Sequence, residues 1–506
     1  MDINNSRIVK YLEQGNGLAV NHCIEEGDVI IGIGDPFLII VENGALDRVC
    51  SQCLTEAASG LKRCTACKVV QYCSLACQST AWKTIHKEEC RILKKLPQIP
   101  PTAVRGLMQL LLRKAVVASP TAPPWVRLES HTTELQRSKR WDDIILQAKA
   151  AVEWTASPRE YIESAVNVLC RMATNAFRVT LADSTPIGLC FEPSVSFANH
   201  SCMPNTAIMF DGRHMTLRAL DPIKEGEQIS ISYIDVTQTR DERRRELKDR
   251  YFFTCCCDKC ERDDGPYRTF LKSTPVQDSR LELFHGQNNI VQTAQARCSE
   301  SPAINVPTLL SDVNGLLSRS RDASTSPSAQ LSLLKEALAI SKPLNQYKLF
   351  AQTPYPLILN EIYLHYLTTS TYAKALSVLL FIYLNCDLYN YPQPHHPIRV
   401  TRLFSIAKLL KSINGMQNID VVSANQTLLI CVRNLGVKSH GVGSRFMCQV
   451  EEEIGDVEAV QRTRGDVGLR LVEWGKEEST EAGMEYARKI FEGLRILAED
   501  ALIDVL

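Results

Sequence analysis

Eight potential metal ligands form four closely spaced pairs in one short segment, namely Cys50-x2-Cys53, Cys64-x2-Cys67, Cys73-x3-Cys77 and His86-x3-Cys90. A two-residue gap lets both thiolates reach one tetrahedral zinc ion, and a three-residue gap places both ligands on one face of a helix. Thiolate-rich tetrahedral sites select zinc over hard cations. The eight ligands therefore predict two closed, structural zinc sites, although the spacing does not show which pairs share an ion.

The other cysteines comprise one further cluster and several isolated positions. The chain has 19 cysteines, and a second cluster runs from Cys255 through Cys256 and Cys257 to Cys260. No cationic and apolar secretory signal opens the sequence, so disulfides are not expected and clustered cysteines predict metal binding. We expect the isolated cysteines to be small buried hydrophobic residues, namely Cys23, Cys170, Cys190, Cys298, Cys386, Cys431 and Cys448.

Two more segments could contribute to chemistry. Gly15–Gly17 precedes the strand-like stretch Val29–Ile33, but a lone Gly-x-Gly predicts no more than a turn. The run Asn199–Asn205 reads Asn-His-Ser-Cys-Met-Pro-Asn. Alternating apolar and polar residues predict that strands follow this run, at Thr206–Phe210, Met215–Ala219 and Gly226–Tyr233.

In this order the motifs resemble those of the SMYD family, in which a MYND zinc finger interrupts a SET domain. The Asn-His-Ser-Cys-x-Pro-Asn run and the Gly-Glu-x-Ile-x-Ile-x-Tyr strand are typical of SET domains, while Tyr72, Gln78, Trp82 and the His86–Cys90 ending are typical of MYND fingers. The resemblance is strong over residues 1–265. It implies an α+β fold in which a MYND finger interrupts the SET β-fold. A zinc-clipped post-SET segment and an α-helical, tetratricopeptide-like C-terminal domain would follow.

The resemblance also implies domain boundaries. We expect the N-terminal part of the SET domain at 1–49, the MYND finger at 50–90, linker helices and a SET insertion at 91–189, the C-terminal part of the SET core at 190–239, the post-SET zinc segment at 240–265 and the helical domain at 266–506.

Ligand sets for the zinc ions follow from the same resemblance. Interleaved pairs would give one site from Cys50, Cys53, Cys73 and Cys77 and another from Cys64, Cys67, His86 and Cys90. Cys202 would join Cys255, Cys257 and Cys260 at a third zinc that clips the post-SET segment over the active site. Cys256 would be a spectator, with a swap between neighbouring cysteines left open. The expected total is about three zinc ions per chain.

A SET domain implies methyl transfer from S-adenosylmethionine (SAM) to lysines of histones, of other proteins, or of both. Free lysine has a pKa of about 10.4, so a narrow and poorly solvated channel must favour the neutral amine and align it with the methyl group. By resemblance, Tyr233 orients the amine, and Tyr251 and Phe177 line the channel. Aromatic walls also tolerate methylammonium products through cation–π contact.

Further residues would surround the cofactor by resemblance. The backbone of Gly15–Gly17 would pass close to SAM, which explains the glycines, and Phe253 would stack on the adenine. His131 is also a cofactor residue by resemblance, the alternative being a surface histidine. The expected cofactor contacts are Gly15, Asn16, Gly17, His131, Asn175, Asn199, His200, Tyr233 and Phe253.

Elsewhere the sequence predicts helices, because apolar residues recur at three- and four-residue spacing. These helices are Ala103–Val117, Asp142–Trp154, Leu333–Ile340, Pro356–Leu367, Tyr372–Leu384, Val400–Leu410 and Met484–Leu497. Arg240–Arg250 predicts a solvated helix, and its acidic residues weaken a nuclear-localisation interpretation of Arg243–Arg245. Ser318–Gln330 predicts a disordered loop because it is polar and serine-rich, and Glu451–Glu478 predicts a partly irregular stretch.

Charge and motif content together favour an enzyme. The 57 basic and 57 acidic residues give a formal net charge of zero, which disfavours direct nucleic-acid binding. The longest apolar stretch, Leu376–Leu384, is too short to cross a membrane. MYND fingers often bind proline-containing peptides, so the alternative is a catalytically weak scaffold or transcriptional corepressor. The resemblance also implies a location in the nucleus and the cytoplasm.

Overall fold

The chain divides into two compact units. Unit 1 comprises residues 1–233 and 244–255, and unit 2 comprises residues 234–243 and 256–506. The computed structural model describes residues 2–3, 5–12, 14–57, 60–116, 124–273, 284–285, 290–299, 304–413, 420–464 and 481–503. The six expected domain segments are a finer division than these two units and stay a prediction.

The described strands all belong to unit 1. They are β1 (Asp2–Ile3), β2 (Ser6–Tyr11), β3 (Gly15–Val20), β4 (Val29–Ile33), β5 (Leu38–Val41), β6 (Lys62–Arg63), β7 (Gln71–Tyr72), β8 (Phe177–Thr180), β9 (Pro186–Phe191), β10 (Asn199–His200), β11 (Thr206–Asp211), β12 (His214–Ala219) and β13 (Gln228–Ile231). The strands predicted at Val29–Ile33, Thr206–Phe210, Met215–Ala219 and Gly226–Tyr233 are therefore present, the last one shortened to its centre.

The sheets of unit 1 bring distant parts of the sequence together. One sheet has the order β1-β2-β3-β13-β10, two others have the orders β11-β12-β4 and β5-β9-β8, and β6 pairs with β7. In the first sheet, β13 pairs antiparallel with β3 and parallel with β10. The Gly15–Gly17 segment and the Asn199–His200 segment thus lie on either side of the strand that leads to Tyr233.

The α-helices of unit 1 that precede β8 lie in the cysteine-rich segment and in the residues between it and β8. They are α1 (Leu75–Ala81), α2 (Lys87–Leu93), α3 (Thr102–Leu112), α4 (Thr132–Gln136), α5 (Trp141–Trp154) and α6 (Ile162–Asn175). A π-helical turn, Trp82–His86, joins α1 to α2. Helix α3 is the central one, since Leu107, Met108 and Leu110 are fully buried, and each such side chain contributes roughly 1.5–3 kcal/mol.

The regular elements described in unit 2 are all helices, in agreement with the expected helical C-terminal region. Helix α7 (Arg240–Tyr251) begins in unit 2 and ends in unit 1. The helices that follow are α8 (Asp258–Glu261), α9 (Pro266–Lys272), α10 (Ile290–Ser299), α11 (Val306–Ser320), α12 (Pro327–Ile340), α13 (Lys342–Gln346), α14 (Tyr355–Thr368), α15 (Tyr372–Ile382), α16 (Leu388–Asn390), α17 (Pro397–Lys411), α18 (Val421–Ser439), α19 (Arg445–Arg462) and α20 (Glu481–Ile503). Among the described helices, none is both long enough and apolar enough to cross a membrane.

The predicted disordered loop at Ser318–Gln330 is wrong. Helix α11 continues to Ser320, and α12 begins at Pro327. The side chain of Ser326 accepts a hydrogen bond from the backbone N–H of Ala329, and Pro327 occupies the first turn of α12. Serine before proline is therefore a helix start in this chain, as capping preferences allow, and only a short connection separates the helices.

Three other expectations need correction. Helix α3 ends at Leu112, short of the predicted Val117, which lies outside the described residues. Helix α7 is not wholly solvated, since Arg243 and Leu247 are buried. The predicted irregular stretch begins too early, because α19 runs to Arg462, while residues 465–478 lie outside the described part of the chain.

The expectation that the isolated cysteines are buried holds for Cys170, Cys190, Cys386 and Cys431. Cys298 is half-buried, whereas Cys23 and Cys448 are exposed. In α19 the buried stripe consists of Phe446, Met447, Val450, Ile454 and Val457. Cys448 falls outside that stripe, so helical periodicity exposes it.

A substitution at Gly188 tests how closely the strands of the β5-β9-β8 sheet pack. A Cβ atom at Gly188 would lie 2.5 Å from the backbone carbonyl oxygen of Ile40 on the paired strand. We expect Gly188→Ala to lower the free energy of unfolding by about 1–3 kcal/mol because a backbone atom must shift. The urea midpoint of the purified chain measures this. Gly44→Ala is the control, since a Cβ there meets nothing within 4 Å. Equal midpoints for the two variants would contradict the packing argument.

Candidate active site and metal sites

The first metal group consists of Cys50, Cys53, Cys73 and Cys77, whose ligand atoms lie within 4.8 Å of one another. Cys73 follows β7, and Cys77 lies in the first turn of α1. That turn is held by Ser74, whose side chain accepts a hydrogen bond from the Cys77 backbone N–H at 3.1 Å. The Cys73 and Cys77 sulfur atoms are 3.5 Å apart, so the i, i+4 spacing brings both ligands to one point.

The second group consists of Cys64, Cys67, His86 and Cys90, all of them buried. The π-helical turn leads into α2, so that His86 and Cys90 face the cysteine pair. His86 Nε2 lies 3.7 Å from the Cys67 sulfur, and the Cys64 and Cys90 sulfurs are 3.8 Å apart. Both finger groups have the donor set of closed tetrahedral zinc sites. The interleaved pairing that the resemblance implied is therefore the pairing in the structure.

The third group consists of Cys202, Cys255, Cys257 and Cys260, again with ligand atoms within 4.8 Å of one another. The sulfur atoms of Cys202 and Cys255 are 4.0 Å apart. Cys256 is exposed and is not a member of the group, which argues against a swap with its neighbours. The four thiolates fit zinc, so about three zinc sites per chain are supported.

Gly17 of β3 and the side chain of Asn199 of β10 approach each other across β13, which lies between the two strands. A Cβ atom at Gly17 would lie 2.7 Å from Asn199 Nδ2 and 2.7 Å from Cε2 of the Tyr11 ring. Gly15 has a φ angle of +72°, a conformation that favours glycine. The two glycines of this motif therefore serve different purposes. Gly15 permits the turn into β3, and Gly17 leaves room for Asn199. Asn16 lies between them, opposite Lys10 of β2.

The side-chain nitrogen of Asn199 is buried, and no described residue accepts a hydrogen bond from it. The hydroxyl of the neighbouring Tyr11 is likewise buried without a described partner. Unpaired buried polar groups are costly, typically about 1–3 kcal/mol each. This is the environment in which a polar ligand would supply missing hydrogen bonds, so the cradle around Gly17 fits the amino-acid portion of SAM.

Tyr233 follows β13 and is the centre of a cluster of aromatic rings. Its ring centroid lies 4.9 Å from that of Tyr251, 5.3 Å from that of His200 and 6.4 Å from that of Phe253. The Tyr233 hydroxyl donates a hydrogen bond to the carbonyl oxygen of Ala198 at 2.7 Å. The Tyr251 hydroxyl donates to the Tyr233 carbonyl at 3.2 Å. Four residues predicted for the site are thus brought together.

Burial raises the pKa of Tyr233 well above its usual value, and Tyr251 acts in the same direction. Burial also raises the pKa of Tyr251, while Arg250 opposes that effect. Both hydroxyls therefore stay protonated at neutral pH. A neutral tyrosine can hold an amine by hydrogen bonding without becoming a base, which agrees with the expected role of Tyr233.

His200 bridges Tyr233 and a metal ligand. Its Nδ1 accepts a hydrogen bond from the Tyr233 backbone N–H at 3.1 Å, and its Nε2 lies 3.3 Å from the Cys202 sulfur. Since Nδ1 accepts, the proton of the neutral ring is on Nε2 and points to the sulfur. The sequence predicted only a cofactor contact for His200. Its side chain also connects the third metal group to the residue expected to orient the amine, and the cofactor contact stays a prediction.

Asn205, the last residue of the Asn199–Asn205 run, holds β13 in place. Its Oδ1 accepts from the Ser230 backbone N–H at 2.8 Å, and its Nδ2 donates to the Gln228 carbonyl at 2.9 Å. Thr206 adds a hydrogen bond to the Ser230 carbonyl at 2.7 Å. The end of this run therefore fixes the strand that leads to Tyr233.

Asn175 lies at the end of α6, where it joins two other segments. Its Nδ2 donates to the carbonyls of Glu129 at 3.2 Å and Arg171 at 2.9 Å, and its own carbonyl accepts from the Ser196 hydroxyl at 2.9 Å. The amide nitrogen thus positions the chain before His131. Phe177 begins β8 opposite Cys190, and its place in the lysine channel stays a prediction.

Phe252 was missed by the sequence analysis. Its ring centroid lies 5.1 Å from that of His131, which shows that His131 packs against the post-SET segment. His131 has a φ angle of +48° and Phe252 one of +64°. Each such conformation costs about 1–3 kcal/mol in a non-glycine residue and is found at sites where surrounding structure imposes it. Aromatic character at Phe252 was visible in the sequence, but its backbone conformation was not.

Arg243 was also missed. Only 2% of it is exposed, and it donates hydrogen bonds to the Gln238 carbonyl at 2.6 Å and to the Cys260 sulfur at 3.4 Å. A guanidinium group beside a thiolate ligand partly balances the charge of the metal group. Because Arg243 is buried, the structure argues against Arg243–Arg245 as a localisation signal.

The sequence of this chain is similar to those of known SET domain proteins. Residues 15–234 match the model of the SET domain. The human protein named Histone-lysine N-methyltransferase SMYD3 is 32% identical over 265 residues, which cover 50% of this chain and 60% of that protein. SET domain and MYND-type zinc finger protein 6 of Schizosaccharomyces pombe is 35% identical over 257 residues, which cover 50% of this chain and 51% of that protein.

A further relative is the human protein named N-lysine methyltransferase SMYD2. It is 29% identical over 306 residues, which cover 57% of this chain and 69% of that protein. The chain spans only 60% and 51% of the length of the first two relatives. The similarity therefore covers only part of these relatives, and the family model places the SET domain at residues 15–234 of this chain.

The metal count gives a direct test. We expect elemental analysis of the purified chain to find about three zinc ions, because each of three groups offers four ligands. Cys257→Ser should lose about one of them, since serine is a poor zinc ligand. Cys256→Ser is the matched control and should keep all three. A loss of zinc from the Cys256 variant, with none from the Cys257 variant, would show that the ligand assignment is wrong.

Proposed function

We propose that this chain, which is similar to SET and MYND domain proteins, is a SAM-dependent protein-lysine N-methyltransferase of the SMYD family. The observation that carries this proposal is the position of Tyr233. Its hydroxyl, which is half-buried, is held at the Ala198 carbonyl, within a group of aromatic rings and next to the strand that carries Asn199.

The residues around Gly17 are suited to hold the cofactor. Asn199 has a buried nitrogen available for the amino-acid portion, and Gly17 leaves the space that a side chain would fill. His131, Asn175, His200 and Phe253 are the further candidates, with Phe252 added through its contact with His131. When bound, SAM supplies an electrophilic methyl group on a sulfonium.

The aromatic cluster would prepare the lysine. The rings of Tyr233, Tyr251 and Phe253 exclude water, which favours the neutral form of the amine. The Tyr233 hydroxyl donates its hydrogen bond to the Ala198 carbonyl oxygen. The lone pairs of the hydroxyl oxygen can therefore accept a hydrogen bond from the amine N–H. This leaves the nitrogen lone pair directed away from Tyr233, as in-line displacement requires.

We propose histone and non-histone proteins as the substrate class, supported by the names of the relatives. We also propose that the finger binds proline-containing peptides. Leu75 is 78% exposed and Trp82 is 43% exposed, and both lie on the finger helices. Such apolar groups on a charged surface suit a proline-rich ligand. We retain the nucleus and the cytoplasm as the proposed locations, because these are where such substrates occur.

A catalytically weak scaffold is disfavoured. An inactive SET domain would have no need for a glycine that leaves room for Asn199, nor for a half-buried tyrosine hydroxyl inside an aromatic cluster. Binding by the finger does not depend on either feature. The presence of both features in this chain therefore favours catalysis.

Tyr233→Phe tests the chemical role of the hydroxyl. We expect methyl transfer from labelled SAM into a mixture of proteins to fall by about 100-fold, because the amine loses its orienting contact. SAM affinity by calorimetry should change by less than about threefold. Tyr347→Phe, at a tyrosine that is 42% exposed, is the control. Unchanged transfer by the Tyr233 variant would refute the proposed role.

Gly17→Ala tests the cofactor cradle. The added methyl group would overlap Asn199 Nδ2 and the Tyr11 ring, so we expect SAM affinity to fall at least about tenfold, which corresponds to 1.4 kcal/mol. Gly44→Ala should bind SAM as the unmodified chain does. If the unmodified chain shows no SAM binding by calorimetry, the enzyme proposal itself fails.

A further inference from the structure

Glu89 is a buried acid with two defined partners. It lies in α2, one residue before the ligand Cys90, and is 2% exposed. One carboxylate oxygen lies 3.0 Å from Nδ1 of the ligand His86, and the other accepts from the Gln109 side-chain nitrogen of α3 at 3.0 Å. A surface acid of a finger helix would need neither partner.

His86 presents opposite ring atoms to the two sides. Nε2 faces the Cys67 sulfur, and Nδ1 faces Glu89. A carboxylate on Nδ1 places the ring proton there and leaves Nε2 with its lone pair available for a metal. Glu89 therefore determines both the orientation of the ring and the atom that can bind zinc.

Arg105 connects α3 to the sheet that contains β5. It lies one helical turn before Gln109 on α3 and is 1% exposed. It donates to the Val41 carbonyl at 3.1 Å, at the end of β5, and to the side-chain oxygen of Asn43 at 3.0 Å. Its charge interacts favourably with that of Glu89. Burial of either charge without the other would cost free energy, so each charge stabilises the buried state of the other.

Helix α3 packs closely against β5 and α6 at Gly106. A Cβ atom at Gly106 would lie 2.9 Å from the Leu38 side chain of β5 and 3.3 Å from Met172 of α6. Helix α6 ends at Asn175, which belongs to the candidate cofactor site. The His86 site and the cofactor region are thus connected through α3 within unit 1.

We propose that Glu89 is a positioning residue that orients His86 for zinc and, through Gln109 and Arg105, joins this zinc site to the SET sheet. The finger would then be a structural part of the SET core as well as a binding module. The proposal depends on the fit of the second metal group to zinc and does not depend on methyltransferase activity.

The test compares Glu89→Gln with Glu88→Gln in the zinc-loaded full chain. Glu88 is adjacent but exposed, and it pairs with Arg91 at 2.7 Å. The measurement is zinc release to a chelator, followed with a metal-sensitive dye. We expect Glu89→Gln to release about one of three zinc ions at least about tenfold faster, and the other two at unchanged rates. Glu88→Gln should match the unmodified chain.

Hydrogen exchange separates the link to α3 from a simple loss of zinc affinity. In the Glu89 variant, amides of α3 should exchange faster before zinc is lost, because the charge of the buried Arg105 is no longer balanced by the Glu89 carboxylate. Equal release rates for the two variants would overturn the proposal. Equally accelerated release of all three ions would also overturn it, because that result indicates general destabilisation.

Gln109→Leu provides a second variant if Glu89→Gln does not fold. It keeps the Glu89 charge and its contact with His86 but removes the hydrogen bond from α3. We expect faster exchange of α3 amides with a smaller acceleration of zinc release. Unchanged exchange in this variant would show that α3 is not coupled to the metal site through Glu89. A failure of SAM binding in the unmodified chain would leave all these zinc measurements valid.

Discussion

The parallel pairing of β10 with β13 is the constraint on which the candidate active site depends. Strand β10 has only two residues, Asn199 and His200, and a strand of this length cannot stabilise itself. Side chains therefore hold the pairing: both amide atoms of Asn205 bind the backbone of β13, as does the hydroxyl of Thr206. Each such bond contributes about 1 kcal/mol, so the motif supplies local hydrogen bonds in place of strand length.

That pairing has consequences on both edges of β13. One edge receives β3, so Gly17 meets Asn199, while the end of the strand delivers Tyr233 to the aromatic cluster. His200 then links the Tyr233 backbone to Cys202, a member of the third metal group. The metal group and the candidate catalytic tyrosine are therefore separated by a single side chain. A zinc ion bound by this group would fix Cys202, and through the contact of Cys202 with His200 it would support the site without taking part in the reaction.

Two charged side chains are buried beside residues of the metal groups. Glu89 lies beside a histidine ligand, and Arg243 lies beside a cysteine ligand. In the sequence both occur within charged helical segments and look like ordinary surface residues. Their burial depends on what packs against the helix, which a charge pattern does not reveal. The serine-rich segment before α12 shows the opposite case, in which a polar composition suggested disorder although Ser326 and Pro327 begin a helix.

The sequence by itself determined the chemistry of the ligands, the order of the SET and MYND motifs and the identity of Tyr233, because ligand spacing and motif residues are local properties of the chain. The resemblance to a known family supplied the pairing of the cysteines, which spacing alone left open. Tertiary structure decided that His200 faces Cys202, that Phe252 packs against His131 and that Glu89 is buried. These features depend on contacts between residues far apart in sequence, and on backbone conformations that the packing around them imposes.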